Sequence, residues 1–294
     1  MNKTVLSGVA LTVFAYFLFS MQDASVKLLA AGLPIAQILF VRSVVILALC
    51  LAVGGKSLPT AMVRSPVLVP MLSRNVLLLL AWLTFYTASR DLGLAQLTTI
   101  YYASPVIVTL LAAPILKERV PPLRWLAVAV GFGGVLLASD PFAAGLGLSR
   151  PIALALSAAV FWALSAILLR KTAMAERTLV QMAISSGFFI LMTGTACLFL
   201  WMPVKPGLLA LMAGVGVFTG VAQFAYFESI RRAPVSLLAP FEYTSLIWAF
   251  ILGYVIWGDQ PNLNVFGGAA LIMIAGVLAL LSERGKTVVA ESQA

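Results

Sequence analysis

Charged side chains are scarce in this sequence and make up 10% of its 294 residues. Soluble domains carry about 25%, so a soluble protein of this length would lack the charge to cover its surface. Six long stretches contain no charged residue: 4–22, 92–116, 151–169, 178–204, 206–227 and 260–282. Each is long enough for a helix to cross a bilayer, which takes about 20 residues. The sequence therefore predicts a polytopic protein surrounded by the lipid bilayer.

Histidine is absent, which excludes Ser-His-Asp catalysis, histidine metal sites and a histidine proton relay. Cys50 and Cys197 lie in apolar stretches, which is typical of buried hydrophobic side chains rather than a disulfide or a metal pair. There is no Gly-x-x-x-x-Gly-Lys-Ser/Thr motif. The net charge of +9 comes with no basic domain, which excludes a nucleic-acid binder. We predict neither an enzyme nor an ATPase, and no cofactor or metal.

Turn residues and charges divide the chain into ten predicted helices. They span approximately 4–26, 35–54, 68–89, 94–116, 122–139, 151–170, 178–201, 207–229, 234–256 and 262–282. The loops and ends that remain are too short for a soluble domain. The expected fold class is an all-α polytopic membrane protein with ten transmembrane helices and a short disordered tail at 285–294.

Basic residues outside the predicted spans are unevenly distributed between the two sides. If the N-terminus is inside, fourteen of them are cytoplasmic and four lie on the opposite side. Arg42 is the one basic residue placed well inside a span, and Arg74 is counted with the cytoplasmic loop before the third helix. Because short cytoplasmic loops are enriched in Lys and Arg, we predict that both termini face the cytoplasm.

The two halves of the chain resemble each other at an offset near 140 residues. Lys27 corresponds to Lys171, and Tyr86 corresponds to Tyr226. Five spans is an odd number, so the second copy enters the membrane from the opposite side. The sequence predicts two inverted five-helix repeats, at 1–140 and 141–284, with a site at the midplane between them.

These features together resemble the drug/metabolite transporter superfamily, EamA type. The resemblance rests on the two repeats, Lys27 at the end of the first helix, Arg42 in the second, an acidic turn at Glu118 or Asp259, and glycine-rich final helices. It covers residues 1 to about 284. The chain is similar to bacterial metabolite exporters, including the aromatic amino acid exporter branch. The stretch 239–243 is also similar to members that carry S-adenosylmethionine or riboflavin.

Glu242 and Arg42 are the two ionisable residues placed deepest in apolar stretches, where a charge is costly. Two interpretations of Glu242 are open: it binds a substrate amine or exchanges a proton, or it pairs with Arg42 as a permanent brace. Arg42 either receives a substrate carboxylate through its guanidinium or fixes the second helix by an internal ion pair. Asp23 and Lys27, spaced i, i+4, meet on one face of the first helix, as a structural pair or as part of a gate.

Aromatic and polar side chains supply the expected walls of the cavity, since buried Tyr and Trp require a hydrogen-bond partner. We predict that the substrate-binding residues, besides Glu242 and Arg42, are Trp82, Tyr86, Tyr101, Tyr102, Trp162, Gln223, Tyr226 and Tyr243. A membrane-interface belt is the alternative for such aromatics. Pro105, Pro114 and Pro240 fall in the fourth and ninth helices. Because proline bends a helix, these helices are the expected moving walls.

The function predicted from these features is secondary transport by alternating access. The substrate is expected to be a small amphipathic metabolite, most simply an amino acid, aromatic or otherwise neutral, exported across a bacterial inner membrane. The alternatives are uptake of a larger metabolite such as riboflavin or S-adenosylmethionine, and a non-transporting membrane scaffold. A monomer is expected, with a dimer as the alternative.

Overall fold

The computed structural model describes residues 3–104, 107, 111, 122–139, 149–172, 175–232, 238 and 241–291. We number its ten main helices in chain order as α1 Lys3–Ala30, α2 Ile35–Gly54, α3 Leu68–Ala88, α4 Leu94–Tyr101, α5 Pro122–Ser139, α6 Arg150–Thr172, α7 Thr178–Leu200, α8 Pro206–Arg232, α9 Thr244–Trp257 and α10 Leu263–Glu291. A 3-10 turn at Gly55–Ser57 and a short helix at Leu58–Val63 connect α2 to α3. All regular secondary structure in the described residues is helical, which confirms the predicted fold class.

The helices end where the apolar stretches meet turn-forming residues. α2 and α5 have the predicted bounds, 35–54 and 122–139. Gly55 after α2 and Gly258 after α9 have φ angles of 63° and 68°. Glycine adopts this left-handed region without the steric cost that a Cβ imposes, so these two positions explain why both helices stop there.

α10 is longer than the sequence predicts. It continues to Glu291, whereas the sequence indicates disorder from residue 285 onward. There is no proline between Leu263 and Glu291, and Glu283, Arg284 and Lys286 are favourable helix formers. The helix therefore extends beyond its apolar part.

Six of the described helices are long and apolar enough to cross a membrane: Leu6–Ala30, Ile35–Val63, Leu68–Ala88, Arg150–Leu168, Thr178–Leu200 and Pro206–Arg232. Three shorter apolar helices span Trp125–Ala138, Thr244–Trp257 and Leu263–Leu278. Large apolar side chains are exposed on the outside of the bundle, among them Leu198 at 80% and Phe199 at 88%. Such a surface is unfavourable in water but suits contact with lipid chains.

The packing of the helices follows a twofold pattern. α2 packs on α7, α4 on α9 and α5 on α10, so these three helices of the first half each meet the counterpart five places later. Two other contacts recur when each helix is replaced by its counterpart. α1 packs on α8 as α6 packs on α3, and α1 packs on α9 as α6 packs on α4. This is the pairing expected of a two-repeat membrane fold.

Glycines allow close contact at two of these interfaces. A Cβ at Gly134 on α5 would lie 2.8 Å from the carbonyl oxygen of Gly268 on α10. A Cβ at Gly216 on α8 would lie 2.6 Å from Cβ of Val45 on α2. Small residues permit such approach between membrane helices.

Both α4 and α9 belong to stretches in which the helix is interrupted. α4 ends at Tyr101, and Tyr102 and Ala103 form a turn before Ser104 is helical again. Phe241 and Glu242 are helical, Tyr243 is in a turn, and α9 begins at Thr244. Tyr102 and Tyr243 thus mark similar breaks in counterpart helices. The predicted hinge prolines, Pro105, Pro114 and Pro240, lie outside the described residues.

Candidate functional site

Asp23 on α1 belongs to a hydrogen-bond network inside the bundle. Its Oδ1 accepts hydrogen bonds from Gln22 Nε2 and from the Tyr86 hydroxyl, both at 2.9 Å. Gln22 Nε2 also donates to the Tyr86 oxygen at 2.8 Å, and Thr219 on α8 donates to Gln22 Oε1 at 2.6 Å. Both bonds to the carboxylate end on one oxygen. Its Oδ2 therefore has no hydrogen-bond partner among the described residues.

Arg42 on α2 lies beside this network and is completely buried. Its Cζ is 3.9 Å from the centroid of the Trp82 ring, a cation–π contact, and it interacts electrostatically with Tyr86 and Asp23. Nε and Nη1 have no hydrogen-bond partner in the part of the chain that the structure describes. Each buried donor left unpaired costs about 1–3 kcal/mol, so an anion that reached this guanidinium would find free donors.

Glu242 lies at the break before α9 and is partly buried. Its carboxyl group faces the hydroxyl groups of Tyr16 on α1 and Tyr226 on α8. The rings of these two tyrosines meet edge to face, with centroids 5.8 Å apart. The described ion pairs all involve Glu228, so within these residues Glu242 has phenolic partners rather than a cation in contact.

Arg74 on α3 is a second buried arginine, only 8% exposed. Its electrostatic partner is Tyr226, and its Nε has no hydrogen-bond partner among the described residues. The sequence counts Arg74 among the basic residues of the cytoplasmic segments, and the structure buries its side chain within α3. Arg74 is the seventh residue of α3, and the rotation of the helix turns it toward the interior.

These groups form two levels along the bundle. The Asp23 level comprises Gln22, Asp23, Arg42 and Tyr86, and the Glu242 level comprises Tyr16, Arg74, Tyr226 and Glu242. Tyr16 and Asp23 are seven residues apart on α1, which separates the levels by about 10 Å at a helical rise of about 1.5 Å per residue. Tyr101 lies between them, since it interacts electrostatically with both carboxylates.

Aromatic rings form a cluster beside the two levels. Tyr101 lies 5.1 Å from Phe85 and 6.0 Å from Trp162, measured between ring centroids. Tyr102 lies 5.3 Å from Tyr243. Trp82 and Trp162 retain some exposure, as do Tyr101 and Tyr243. Four helices thus contribute to an aromatic wall.

The break at Glu242 is stabilised by groups from α4 and α9. The Leu246 amide donates to the Tyr243 carbonyl at 3.0 Å, one residue short of the regular helical acceptor, which frees the Glu242 carbonyl. Tyr102 from α4 donates to that carbonyl at 2.8 Å, and Ser245 donates to it at 3.0 Å. A carbonyl freed inside a membrane protein requires such replacement donors.

Lys27 lies at the end of the bundle that carries the α1–α2, α3–α4 and α9–α10 loops. Its ammonium group donates to the Leu92 carbonyl, lies 5.0 Å from the centroid of the Trp257 ring and interacts electrostatically with Asp259. Asp259 Oδ2 in turn accepts from the Leu94 amide at 3.3 Å. Lys27 and Asp259 therefore join α1, the start of α4 and the end of α9.

The structure separates two pairs that the sequence brings together. Asp23 and Lys27 do not pair, because Asp23 faces Tyr86 whereas Lys27 faces Leu92 and Asp259. Glu242 and Arg42 have different electrostatic partners, so the interpretation of Glu242 as a brace for Arg42 gains no support within the described residues.

Gln223 takes no part in the hydrogen bonds described above. It lies on α8 between Thr219 and Tyr226 and is partly exposed. Three residues of the two levels were not predicted as site residues: Gln22, Tyr16 and Arg74. Tyr16 and Asp23 are spaced i, i+7 and so share a face of α1, a signal that was present in the sequence. Gln22 carries no charge, and its role becomes visible only from Thr219 on the neighbouring α8.

A solved structure and known transporters are similar to this chain over nearly its whole length. A solved crystal structure with a TM-score of 0.65 and 19% identity covers 95% of this chain and 98% of its own, and it has the same fold. The pseudopaline exporter of Pseudomonas aeruginosa is 27% identical over 95% of this chain and 98% of its own length. The S-adenosylmethionine uptake transporter of Rickettsia prowazekii is 25% identical over 96% of this chain and 95% of its own length.

The family comparison covers nearly the whole chain. The sequence profile of the EamA-like transporter family matches residues 6–140 and again residues 149–281. These two matches agree with the twofold pairing of the helices and with the resemblance drawn from the sequence. The chain is a multi-pass membrane protein that belongs to the EamA-like transporter family of the drug/metabolite transporter superfamily.

Proposed function

We propose that the protein exports amino acids and similar small zwitterionic metabolites across a bacterial inner membrane by alternating access. The observation that carries this proposal is a bundle interior with two carboxylates faced by hydroxyl groups and two buried guanidinium groups with unpaired donors. Such an interior offers partners for an ammonium and a carboxylate at the same time. Buried charges inside a membrane bundle are expensive and mark substrate pathways.

The carboxylate of the substrate binds Arg42, whose free Nε and Nη1 present the donors that a carboxylate accepts. The ammonium binds Asp23, the carboxylate at the same level as Arg42, and Glu242 offers the next carboxylate along the path. Entry of a substrate carboxylate offsets the cost of the unpaired donors on Arg42, and the rings of Tyr101, Trp162 and Tyr243 suit an apolar side chain.

The movement is expected in the interrupted helices. α4 and α9 are broken at counterpart positions, and proline in these segments weakens the helix further. Lys27 and Asp259 close one end of the bundle and are proposed as part of the gate at that end. We place this end on the outer side of the membrane with both termini in the cytoplasm, because of the bias in basic residues.

Transport by the purified protein in liposomes tests the proposal. Labelled phenylalanine and leucine should cross the membrane of liposomes that contain the wild-type protein. Label loaded inside these liposomes should be released when unlabelled amino acid is added outside. Glu242→Gln and Arg42→Gln should each remove most of this transport while the protein remains folded. Glu228→Gln is the matched control, since Glu228 pairs with the exposed Arg231 and Arg232 at the end of α8. Full transport by folded Glu242→Gln would contradict a role for Glu242.

A second candidate function is uptake of a larger metabolite such as S-adenosylmethionine or riboflavin. The similarity to the S-adenosylmethionine uptake transporter over 96% of this chain favours it. The same liposomes distinguish the two, because labelled S-adenosylmethionine and riboflavin are tested beside the amino acids. Transport of either compound without transport of amino acids would replace the first proposal, and no transport of any compound would support a scaffold.

A further inference from the structure

The two levels of the site have the same internal order. At the Asp23 level, the Tyr86 hydroxyl donates to Asp23 on one side, and Tyr86 interacts with Arg42 on the other. At the Glu242 level, Tyr226 faces Glu242 on one side and interacts with Arg74 on the other. Each level is therefore an acid, a tyrosine and an arginine, with the phenol in the middle.

The two central tyrosines occupy corresponding places in the repeat. Tyr86 on α3 and Tyr226 on α8 are 140 residues apart, which is the offset between the two halves. The acids and arginines are not related in this way, because Asp23 and Arg42 lie on α1 and α2 whereas Arg74 and Glu242 lie on α3 and beside α9. The fold thus supplies two similar charge arrangements from different side chains.

Neither acid is in ion-pair contact with its arginine, since the described ion pairs all involve Glu228. Arg42 and Arg74 both keep an unpaired Nε, and Asp23 keeps an unengaged Oδ2 in the described residues. Each level is electrically balanced but incompletely paired. The missing partner at each level is a group that carries both an ammonium and a carboxylate, which is the head of an α-amino acid.

One amino acid cannot occupy both levels, because they are separated by about 10 Å along the bundle. A molecule with an amino acid head at each end of a short chain satisfies both. Tyr101 and Tyr102 each interact electrostatically with both carboxylates, and their rings suit the apolar linker. The net charge of such a molecule is zero, which suits two levels that each combine one acid with one arginine.

We infer that the preferred substrates of this site are compounds with two zwitterionic heads joined by a short aliphatic linker. This inference rests on the proposed transport of amino acids and narrows its substrate class. Single amino acids occupy one level and leave the other unfilled, so they bind more weakly. The gain from the second head is a second set of charge-assisted hydrogen bonds within the same molecule.

Competition in proteoliposomes tests the inference. Transport of labelled leucine by the wild-type protein is measured against increasing unlabelled meso-diaminopimelate, lysine or α-aminopimelate. Lysine lacks the second carboxylate of diaminopimelate, and α-aminopimelate lacks the second amine, so each removes half of one head. Diaminopimelate should inhibit at about tenfold lower concentration than either, since one added charge-paired contact changes affinity by about this factor. Equal inhibition by all three overturns the inference.

The variant Arg74→Gln locates the second head. Within this variant, the concentration at which diaminopimelate inhibits should rise to that of lysine, so that its advantage of about tenfold over lysine is lost. Arg64→Gln is the control, since Arg64 is an exposed arginine on the connection that precedes α3. An unchanged advantage for diaminopimelate in folded Arg74→Gln also overturns the inference. If Arg74→Gln does not fold, the wild-type competition decides alone.

The outcomes separate this inference from the proposed function. If leucine is transported and diaminopimelate competes no better than lysine, only the two-headed class is wrong. If no amino acid is transported and labelled diaminopimelate does not cross the liposomes, the proposed function is wrong as well.

Discussion

The separation of Arg42 from Glu242 gives a quantitative prediction about coupling between buried charges. Arg42 interacts with Tyr86 and Asp23, whereas Glu242 faces Tyr16 and Tyr226. Residues that share a network couple by about 0.5–3 kcal/mol in double-mutant cycles, and independent sites are additive within about 0.5 kcal/mol. We therefore expect the free energies of unfolding to couple for Asp23 with Arg42 but not for Glu242 with Arg42.

The size of the single effects follows from the same contacts. Arg42→Gln removes the cation–π contact with Trp82 and the attraction to Asp23. A desolvated cation–π contact contributes about 2 kcal/mol. The substitution also removes two buried donors that have no partner among the described residues. Each unpaired donor costs about 1–3 kcal/mol, so its removal offsets part of the lost stability. The net loss should be small. If Arg42 instead braced Glu242, breaking the buried pair would cost about 3–5 kcal/mol.

The measurement is thermal unfolding of the purified protein in detergent. The set comprises Asp23→Asn, Arg42→Gln, Glu242→Gln and the two double variants that contain Arg42→Gln. Two results would refute the reasoning: a coupling above about 1 kcal/mol between Glu242 and Arg42, or strict additivity of Asp23 and Arg42. If Arg42→Gln restored the stability of an unstable Glu242→Gln variant, the interpretation of Glu242 as a brace for Arg42 would be correct.

Three further predictions concern the frame and the orientation of the bundle. Gly134→Ala should destabilise the protein by about 1–3 kcal/mol, because the new Cβ meets the Gly268 carbonyl; Gly133→Ala, where the Cβ meets nothing within 4 Å, should not lower the thermal midpoint. Lys27→Gln should lower the thermal midpoint by removing the bond to the Leu92 carbonyl, and Lys205→Gln, at an exposed lysine, should leave it unchanged. A tag fused to the C-terminus should be inaccessible to protease in intact cells, and digestion from outside would reverse the proposed topology.

Helix positions are readable from this sequence because the bilayer imposes one requirement on every span. Each must be apolar and long, and the residues between them must turn, so the bounds of α2 and α5 are fixed by local composition. Charged site residues are visible for the same reason. Asp23, Arg42 and Glu242 stand out because each interrupts an apolar stretch.

The partners of those charges are not readable in this way. Partner choice depends on the rotation of each helix about its axis and on which helices become neighbours. Arg74 illustrates the difficulty, since it lies near the start of α3, where a basic residue is ordinarily topogenic. Its burial follows from the packing of α3 in the bundle, which local composition does not contain.

The hydrogen bond from Tyr102 to the Glu242 carbonyl has a mechanical consequence. It ties the break in one repeat to the break in the other, so the weakest points of α4 and α9 form a common joint. Two independent hinges would let either helix bend alone, and the pathway would open at both ends at once with some frequency. A shared joint makes bending of one helix strain the other. In the proposed alternating-access cycle, this hydrogen bond would then oppose simultaneous opening of both ends.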